Sequence, residues 1–259
     1  LQMSTQEGDN VAVCGIRGNF DDAQSAVKRI FADKELAERL EAAGTVLSSA
    51  NSINVGRLVP QVVYYFAAYA QLLRAGAIEA GDAVEFCVPT GNFGDILAGY
   101  YAKRMGLPVA KLVVASDKNN VLADFLTTGV YDRNRPFFTT ISPSMDILIS
   151  SNLERLLYHV SGSSEKVAGW MQELSATGKY TVDAETLAKI QQSFAAGYAD
   201  DADGAAEIKA RFDGDHYLCD THTAVAFRVA ETRRTDAPMV VLSTASPFKF
   251  PRDVLTALG

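Results

Sequence analysis

The segment Cys87 to Pro108, CVPTGNFGDILAGYYAKRMGLP, passes from an apolar run through Thr90, Gly91, Asn92, Phe93, Gly94 and Asp95 directly into a helical pattern. Glycines let a backbone approach a ligand and turn its amides inward, and a helix start adds positive potential. Such a turn can therefore hold a phosphate dianion without a lysine. The dinucleotide spacing GxGxxG is absent, because the glycines stand as Gly91-x-x-Gly94 with Gly99 further on. GxxxxGK[ST] is absent too, which disfavours ATP and GTP. The same residues also make a tight strand–helix turn with nothing bound, and spacing alone leaves both readings open.

Two further segments carry polar groups where a ligand could sit. LSTASPFKF, Leu242 to Phe250, follows the apolar run MVVL and puts Ser243 and Thr244 at the carboxyl end of a strand. Open α/β sheets bind ligands there. A neutral hydroxyl gives or takes one hydrogen bond but holds no compensating charge, and hydroxyls after strands are common. SSANSINVGRL, Ser48 to Leu58, crowds Ser48, Ser49, Asn51, Ser52 and Asn54 ahead of a helical pattern, with Arg57 in its first turn. Ser and Asn suit an N-cap. A cation in the first turn opposes the helix dipole, so Arg57 points to an anionic ligand.

The other chemistry-bearing types say less. His159 and His216 have no partners at metal-ligand spacing, His222 in DTHTAV reads as capping or packing against a helix start, and no metal site is expected. Asp200, Asp201, Asp203, Asp213 and Asp215 lack EF-hand spacing and read as a solvated face. Cys87 lies in an apolar run and reads as a core residue rather than a nucleophile. No GxSxG elbow supports a hydrolase triad.

The elements that must position these groups alternate short apolar runs with longer helical periods, the signature of a mainly parallel sheet with crossover helices. Strands are expected at Val11–Ile16, Ala83–Val88, Lys111–Ala115 and Met239–Leu242, with weaker ones at Thr45–Leu47 and Phe137–Thr140. Helices are expected from Gly18 to Phe31, at Asp33–Ala43, at Asn54–Arg74 unless Pro60 begins it, and at Asp95–Met105. Others follow at Leu153–Val160, Glu165–Ala176, Ala184–Ala196, Asp203–Phe212, Thr223–Ala230 and Asp253–Leu258. No repeat or linker divides the chain. It reads as one α/β unit over 1–259, an open, mainly parallel, twisted sheet flanked by helices, with a helical insertion over 153–212.

Composition bounds the partners. Of 259 residues, 24 are Lys or Arg and 31 Asp or Glu, so the net charge of −7 argues against a nucleic-acid binder. No apolar run approaches the length of a membrane span, and no secretion signal opens the chain. The sparse cysteines Cys14, Cys87 and Cys219 suit a reducing compartment, so a cytoplasmic location is expected. The start at Leu1 and the stop at VLTALG look cut from a longer protein.

SANSIN with Arg57, PTGNFGD with AGYYAKRMGLP, DTHTAVAF and STASPFKF, in that order, resemble threonine synthase. The likeness runs from GNFDDAQ to the last helix. It implies the tryptophan-synthase-β-like fold, that of the type-II pyridoxal-phosphate enzymes, and pyridoxal 5'-phosphate as cofactor. On this resemblance Gly91, Asn92, Phe93 and Gly94 hold the cofactor phosphate, and Thr244 faces the pyridine nitrogen. Asn51, Ser52, Asn54 and Arg57 lie at the phosphate of O-phospho-L-homoserine, a small phosphorylated amino acid that the intact enzyme would convert with water to L-threonine and phosphate. Ser246 and Phe248 depart from the family's usual His and Ala. The family's Schiff-base lysine lies in a Ser/Thr-Phe-Lys-Asp stretch that this chain lacks; Lys249 in PFKF corresponds to a different family lysine. The catalytic lysine is therefore expected upstream, in an N-terminal part of the same enzyme. This chain alone is expected to be inactive, and its uncovered apolar surface predicts self-association into homo-oligomers. A related lyase of the same fold, such as a threonine dehydratase, and a non-catalytic phosphate-ligand module are the alternatives.

Overall fold

Six consecutive buried residues, VEFCVP, form β1 (Val84–Pro89). A strand covered on both faces cannot alternate apolar with polar residues, and such a run belongs at the centre of a parallel sheet. β2 (Val109–Ser116) and β6 (Met239–Val241) flank β1 in parallel, and β5 (Phe194–Tyr198) pairs with the far side of β2. The sheet order is β5-β2-β1-β6. The computed structural model describes residues 7–18, 20–49 and 54–259.

Each face of the sheet has its own cover. Val84, Phe86 and Val88 pack with Tyr65 of α4 (Val62–Arg74), Ile96 and Leu97 of α5 (Gly94–Arg104) and Phe125 of α6 (Val121–Thr128). Cys87, with Val113 and Ala115 of β2, packs on Val225, Ala226 and Val229 of α11 (Thr221–Thr232). A smaller cluster of Ile208, Cys219, Ala224 and Val254 joins α10 (Asp201–Asp215) to α11 and to α12 (Pro251–Leu258). Between β2 and β5 the chain makes α6, the antiparallel pair β3 (Val130–Asp132) and β4 (Lys179–Thr181), and the helices α7 (Leu153–Ser161), α8 (Ser164–Thr177) and α9 (Ala184–Ser193).

Where the sequence reads as one unit over 1–259, the contacts fall into two compact units, Leu1–Ser49 and Ala50–Gly259. The first holds α1 (Phe20–Ala32) and α2 (Lys34–Ala42), and Asp33 caps α2 by accepting the Leu36 N–H at 3.0 Å. Val11–Ile16, expected as a strand, carries one isolated bridge from Gly8 to Val11, and Thr45–Leu47 is irregular. Apolar content alone does not make a strand, which needs a ladder partner for its backbone groups.

Within the second unit four expectations are corrected. The helix expected over Asn54–Arg74 is a single turn, α3 (Val55–Leu58), then a 3-10 turn at Val59–Gln61 and α4. Pro60 has no N–H to donate and starts the tighter turn. The helix expected over Ala184–Ala196 stops at Ser193, and Phe194–Tyr198 joins the sheet as β5. Residues 153–212 are therefore no helical insertion, since they supply β4 and a strand of the main sheet. Phe137–Thr140 makes no ladder, because side chains take its backbone groups. Phe138 N–H donates to Asn119 Oδ1 at 2.9 Å and Thr140 N–H to Asp146 Oδ2 at 3.0 Å.

Gly99 lets α5 sit close on the sheet. A Cβ there would lie 2.5 Å from Tyr65 Cε1 and 2.8 Å from Leu112 Cδ2, and Tyr65 is pinned because its hydroxyl donates to the Asp95 carbonyl at 2.8 Å. Gly99→Ala should gain up to about 1 kcal/mol of helix propensity. Overpacking should outweigh it, for a net loss of about 1–2 kcal/mol. Urea unfolding of the two proteins measures the difference, and a stabilised variant would contradict this packing.

Candidate active site

The chain leaves β1 toward β2 and β5, then returns to place β6 on the other side of β1. The loops after β1 and β6 therefore diverge at a topological switch point, where open sheets of this kind bind ligands. A cavity of about 200 Å³ lies there, lined by Thr90, Gly91, Asn92, Phe93, Gly94, Asp95, Ser144, Met145, His222, Thr244 and Gln61 among others. The glycine-rich turn and Thr244, 150 residues apart in sequence, meet around this one space.

The turn is shaped by close backbone contact. A Cβ on Gly91 would lie 3.0 Å from Ile147 Cδ1, 3.2 Å from Met145 Cα and 3.3 Å from the Ser144 carbonyl oxygen, so the 144–147 segment roofs the turn and would have to give by a few tenths of an ångström to admit a side chain. Phe93 caps α5 in the left-handed region at φ 64°, its ring fully buried. The turn is also tied down from behind. Ser150 Oγ donates to the Gly91 carbonyl at 2.8 Å, and Asn152 donates to the Asn92 carbonyl from its backbone N–H at 3.1 Å and from Nδ2 at 3.0 Å. The Gly94, Asp95 and Ile96 amides, at the start of α5, have no carbonyl of their own helix to bond. Among the described residues no backbone acceptor meets them. This is a rigid set of N–H donors at a positive helix end.

Two further groups line the cavity, His222 and Asp95, and neither was picked from the sequence as a site residue. His222 accepts the Ser144 N–H at Nε2 (3.2 Å), which puts its proton on Nδ1, and Nδ1–H donates to Asp220 Oδ1 at 3.0 Å. Asp220 is fully buried. Burial opposes its charge, but hydrogen bonds from His222 and Thr223 outweigh that and hold its carboxyl below the usual range. The pair thus anchors the roof from α11. Asp95 lines the cavity from the first turn of α5. Burial pushes its carboxyl up to about 6, against the hydrogen bond from Tyr65 OH at 3.2 Å. Cys87, by contrast, is a core residue: burial raises its thiol to about 12 and Sγ–H donates to the Ala226 carbonyl at 3.2 Å.

Of the remaining candidates, Asn51 and Ser52 lie outside the described residues. Asn54 caps α3, its Oδ1 accepting the Gly56 N–H at 2.9 Å. Arg57 falls in the last turn of that one-turn helix rather than at the start of a long one, so the dipole argument for an anion there does not hold. Neither residue lines the cavity, although Gln61, whose Nε2 donates to the Arg57 carbonyl at 3.0 Å, does. The acidic stretch is structural: Asp200 and Asp203 form a capping box on α10, while Asp213 and Asp215 pair with Lys209 and Arg211. Among the described residues no cluster of His, Cys, Asp and Glu suits a metal ion, and no helix is long and apolar enough to cross a membrane.

The roof rests on a buried acid pair. Asp117, at the end of β2, and Asp146 share Asn119 and Thr140. Asn119 Nδ2 donates to Asp146 Oδ1 at 3.0 Å, Thr140 Oγ1 lies 2.7 Å from the same oxygen and 3.2 Å from Asp117 Oδ2, and the Asn119 N–H reaches Asp117 Oδ1 at 2.8 Å. Burial, with Asp146 beside it, pushes Asp117 well above the carboxylate range, to about 8, so one proton is retained between the two acids.

The chain superposes on the pyridoxal-phosphate-bound threonine synthase of Brucella melitensis with a TM-score of 0.83 and 46% identity, over 93% of this chain and 50% of that one. Its fold is that of the type-II pyridoxal-phosphate enzymes. A family model described as "Threonine synthase, C-terminal" matches residues 223–259. Over 256 residues the chain is 43% identical to the threonine synthase of Pseudomonas aeruginosa, covering 98% of this chain and 52% of that protein. It is 41% identical over 261 residues to the human protein named threonine synthase-like 1, covering 99% of this chain and 35% of that protein. The chain is similar to threonine synthases over nearly all of its own length, and it spans about half of the bacterial threonine synthase and about a third of the human relative.

The acid pair makes stability fall as pH rises. Unfolded, Asp117 ionises near pH 4; folded, it keeps its proton until about pH 8, so the stability it contributes is full below about pH 4 and is lost progressively up to about pH 8. Asp117→Asn replaces the shared proton with an amide N–H. The variant should match the parent at pH 4 and melt at least about 2 °C higher at pH 8. A pH-independent difference in thermal melts would contradict the shared proton.

Proposed function

We propose that this chain supplies the cofactor-phosphate cradle and the substrate-phosphate side of a threonine synthase, which in the intact enzyme converts O-phospho-L-homoserine and water to L-threonine and phosphate with pyridoxal 5'-phosphate. The observation that carries the reading is the space at Gly91. A turn closed so tightly that a Cβ would strike the roof, ending on the amides that open α5, suits a phosphate dianion held by main chain alone. Thr244 stands across the same cavity.

When bound, the cofactor ring supplies an electron-withdrawing group for reaction at the substrate α-carbon. The part of this chain is to bind and orient. The turn Gly91, Asn92, Phe93, Gly94 takes the cofactor phosphate. Thr244 offers the ring nitrogen a hydroxyl without charge, which leaves that nitrogen largely unprotonated and tempers its electron demand. Asn51, Ser52, Asn54 and Arg57 take the substrate phosphate, so that binding energy far from the reacting carbons positions them. The chain has no Ser/Thr-Phe-Lys-Asp stretch, so the covalent lysine belongs to the rest of the intact enzyme. A second reading, a different activity shared with the threonine synthase-like 1 proteins, is favoured by identity to the human one nearly equal to that of the bacterial synthase, 41% against 43%.

The intact, cofactor-loaded protein should form L-threonine and phosphate in equal amounts from O-phospho-L-homoserine; no L-threonine would overturn the reading in favour of the second. Gly91→Ala should weaken cofactor binding by at least about tenfold in a fluorescence titration. Arg57→Ala should leave that titration unchanged and raise KM for the substrate about ten- to a hundredfold. An unchanged KM would remove Arg57 from the substrate site.

A further inference from the structure

The sheet carries a second cavity, of about 430 Å³, at the start of β1 rather than beyond its end. Its floor is Glu85 of β1, Lys111 and Val113 of β2 and Ala195 of β5, and the turn after α11 closes it with Arg233 and Arg234. Nothing in the cofactor site uses these residues. Glu85 is only 5% exposed, yet its carboxylate has no hydrogen bond and no ion pair among the described residues. Its oxygens are not sealed from solvent, so the charge faces this cavity with no protein partner. The ladder is also irregular here: Val84 pairs with Val109 but Phe86 with Leu112, so Ala110 and Lys111 together face Glu85. Such bulges re-aim side chains and are retained where that matters.

The cations around Glu85 do not neutralise it. Lys111 Nζ donates to the carbonyls of Gln191 and Gln192, at 2.5 and 3.0 Å, and Arg234 is paired with Glu231 at 2.5 Å. Arg233 donates to the Ala196 carbonyl from one nitrogen at 2.7 Å, which leaves donors of its guanidinium over, and it stands beyond ion-pair reach of Glu85. The cavity therefore presents an unpaired carboxylate acceptor and a separate cationic donor over an apolar floor of Val113 and Ala195. A simple anion would meet Glu85, and a simple cation would meet the arginines. A molecule carrying both charges a few bonds apart satisfies both. We infer that this cavity is a second binding site, for a small α-amino acid with an aliphatic side chain, its ammonium at Glu85 and its carboxylate at Arg233.

The test is isothermal titration of the intact protein with L-valine, with N-acetyl-L-valine (no ammonium) and L-valinamide (no carboxylate) as half-probes and inorganic phosphate as the anion control. L-valine should bind at least about tenfold more tightly than either half-probe. Glu85→Gln and Arg233→Gln should each weaken L-valine by at least about tenfold without lowering the melting temperature. If Glu85→Gln fails to fold, the Arg233→Gln titration decides alone. L-valine binding that neither variant changes would place it elsewhere and overturn the inference. So would the absence of binding at millimolar concentrations, or phosphate binding that Glu85→Gln strengthens, which would make this an anion site.

Discussion

The near-contact between Gly91 and the 144–147 backbone is the constraint on which the rest of the site depends. Backbone amides can serve an anion only if they cannot turn away, and Gly91 has no side chain of its own to wedge it. It is held by contact instead, with Met145 Cα and the Ser144 carbonyl oxygen inside the space a Cβ would need. The roofing segment has almost no regular structure, so its own place must be set by side chains. His222 holds Ser144 from α11, Asp146 is held by Asn119 and Thr140, and Ser150 and Asn152 bond back to the turn they cover.

Buried polar groups are a costly way to hold a loop, and they are used here because apolar packing has no direction. A hydrophobic roof could slide by a fraction of an ångström at little cost, whereas Asp146, with acceptors committed to Asn119, Thr140 and the Thr140 amide, has one good position. The acid pair with Asp117 extends this fixing to the end of β2, the strand next to the one that carries the turn. The amides that open α5 and the groups that fix the roof are thus tied to the same sheet.

β1 separates two kinds of chemistry along its length. Its carboxyl end opens into glycines and helix-start amides, which suit an anion. Its first residues face Arg233 across a buried carboxylate, which suits a zwitterion. The middle of the strand is sealed on both faces, by α4 and α5 on one side and α11 on the other. α11 reaches both ends, with His222 at its start in the cavity beside Gly91 and Arg233 just past its end in the second cavity.

Much of this was legible in the sequence. The strand, turn and helix from Val84 to Arg104 are decided by neighbours: an apolar run too short for a helix, glycines, then a helical period. The caps at Asp33, Asp183 and Asp220 likewise lie next to the helices they start. The chemical kinds at the cavity, a lysine-free glycine turn and a hydroxyl after a strand, are local as well. Other features depended on partners far along the chain. Phe194–Tyr198 follows α9 with no Gly or Pro to mark the change, and only a ladder with β2 makes it a strand. Val11–Ile16 has the composition of a strand without the ladder, and Arg57 has the sequence setting of a helix start on a helix that lasts one turn. The His222 bond to Ser144 spans 78 residues and the Asn119 bond to Asp146 spans 27. By itself the sequence determined which segments could turn, cap and bury, because those preferences come from one residue and its immediate neighbours. Only the tertiary structure decided which strands pair, which acids share a proton and what roofs Gly91, because each of those needs two surfaces brought to within a bond length of fit.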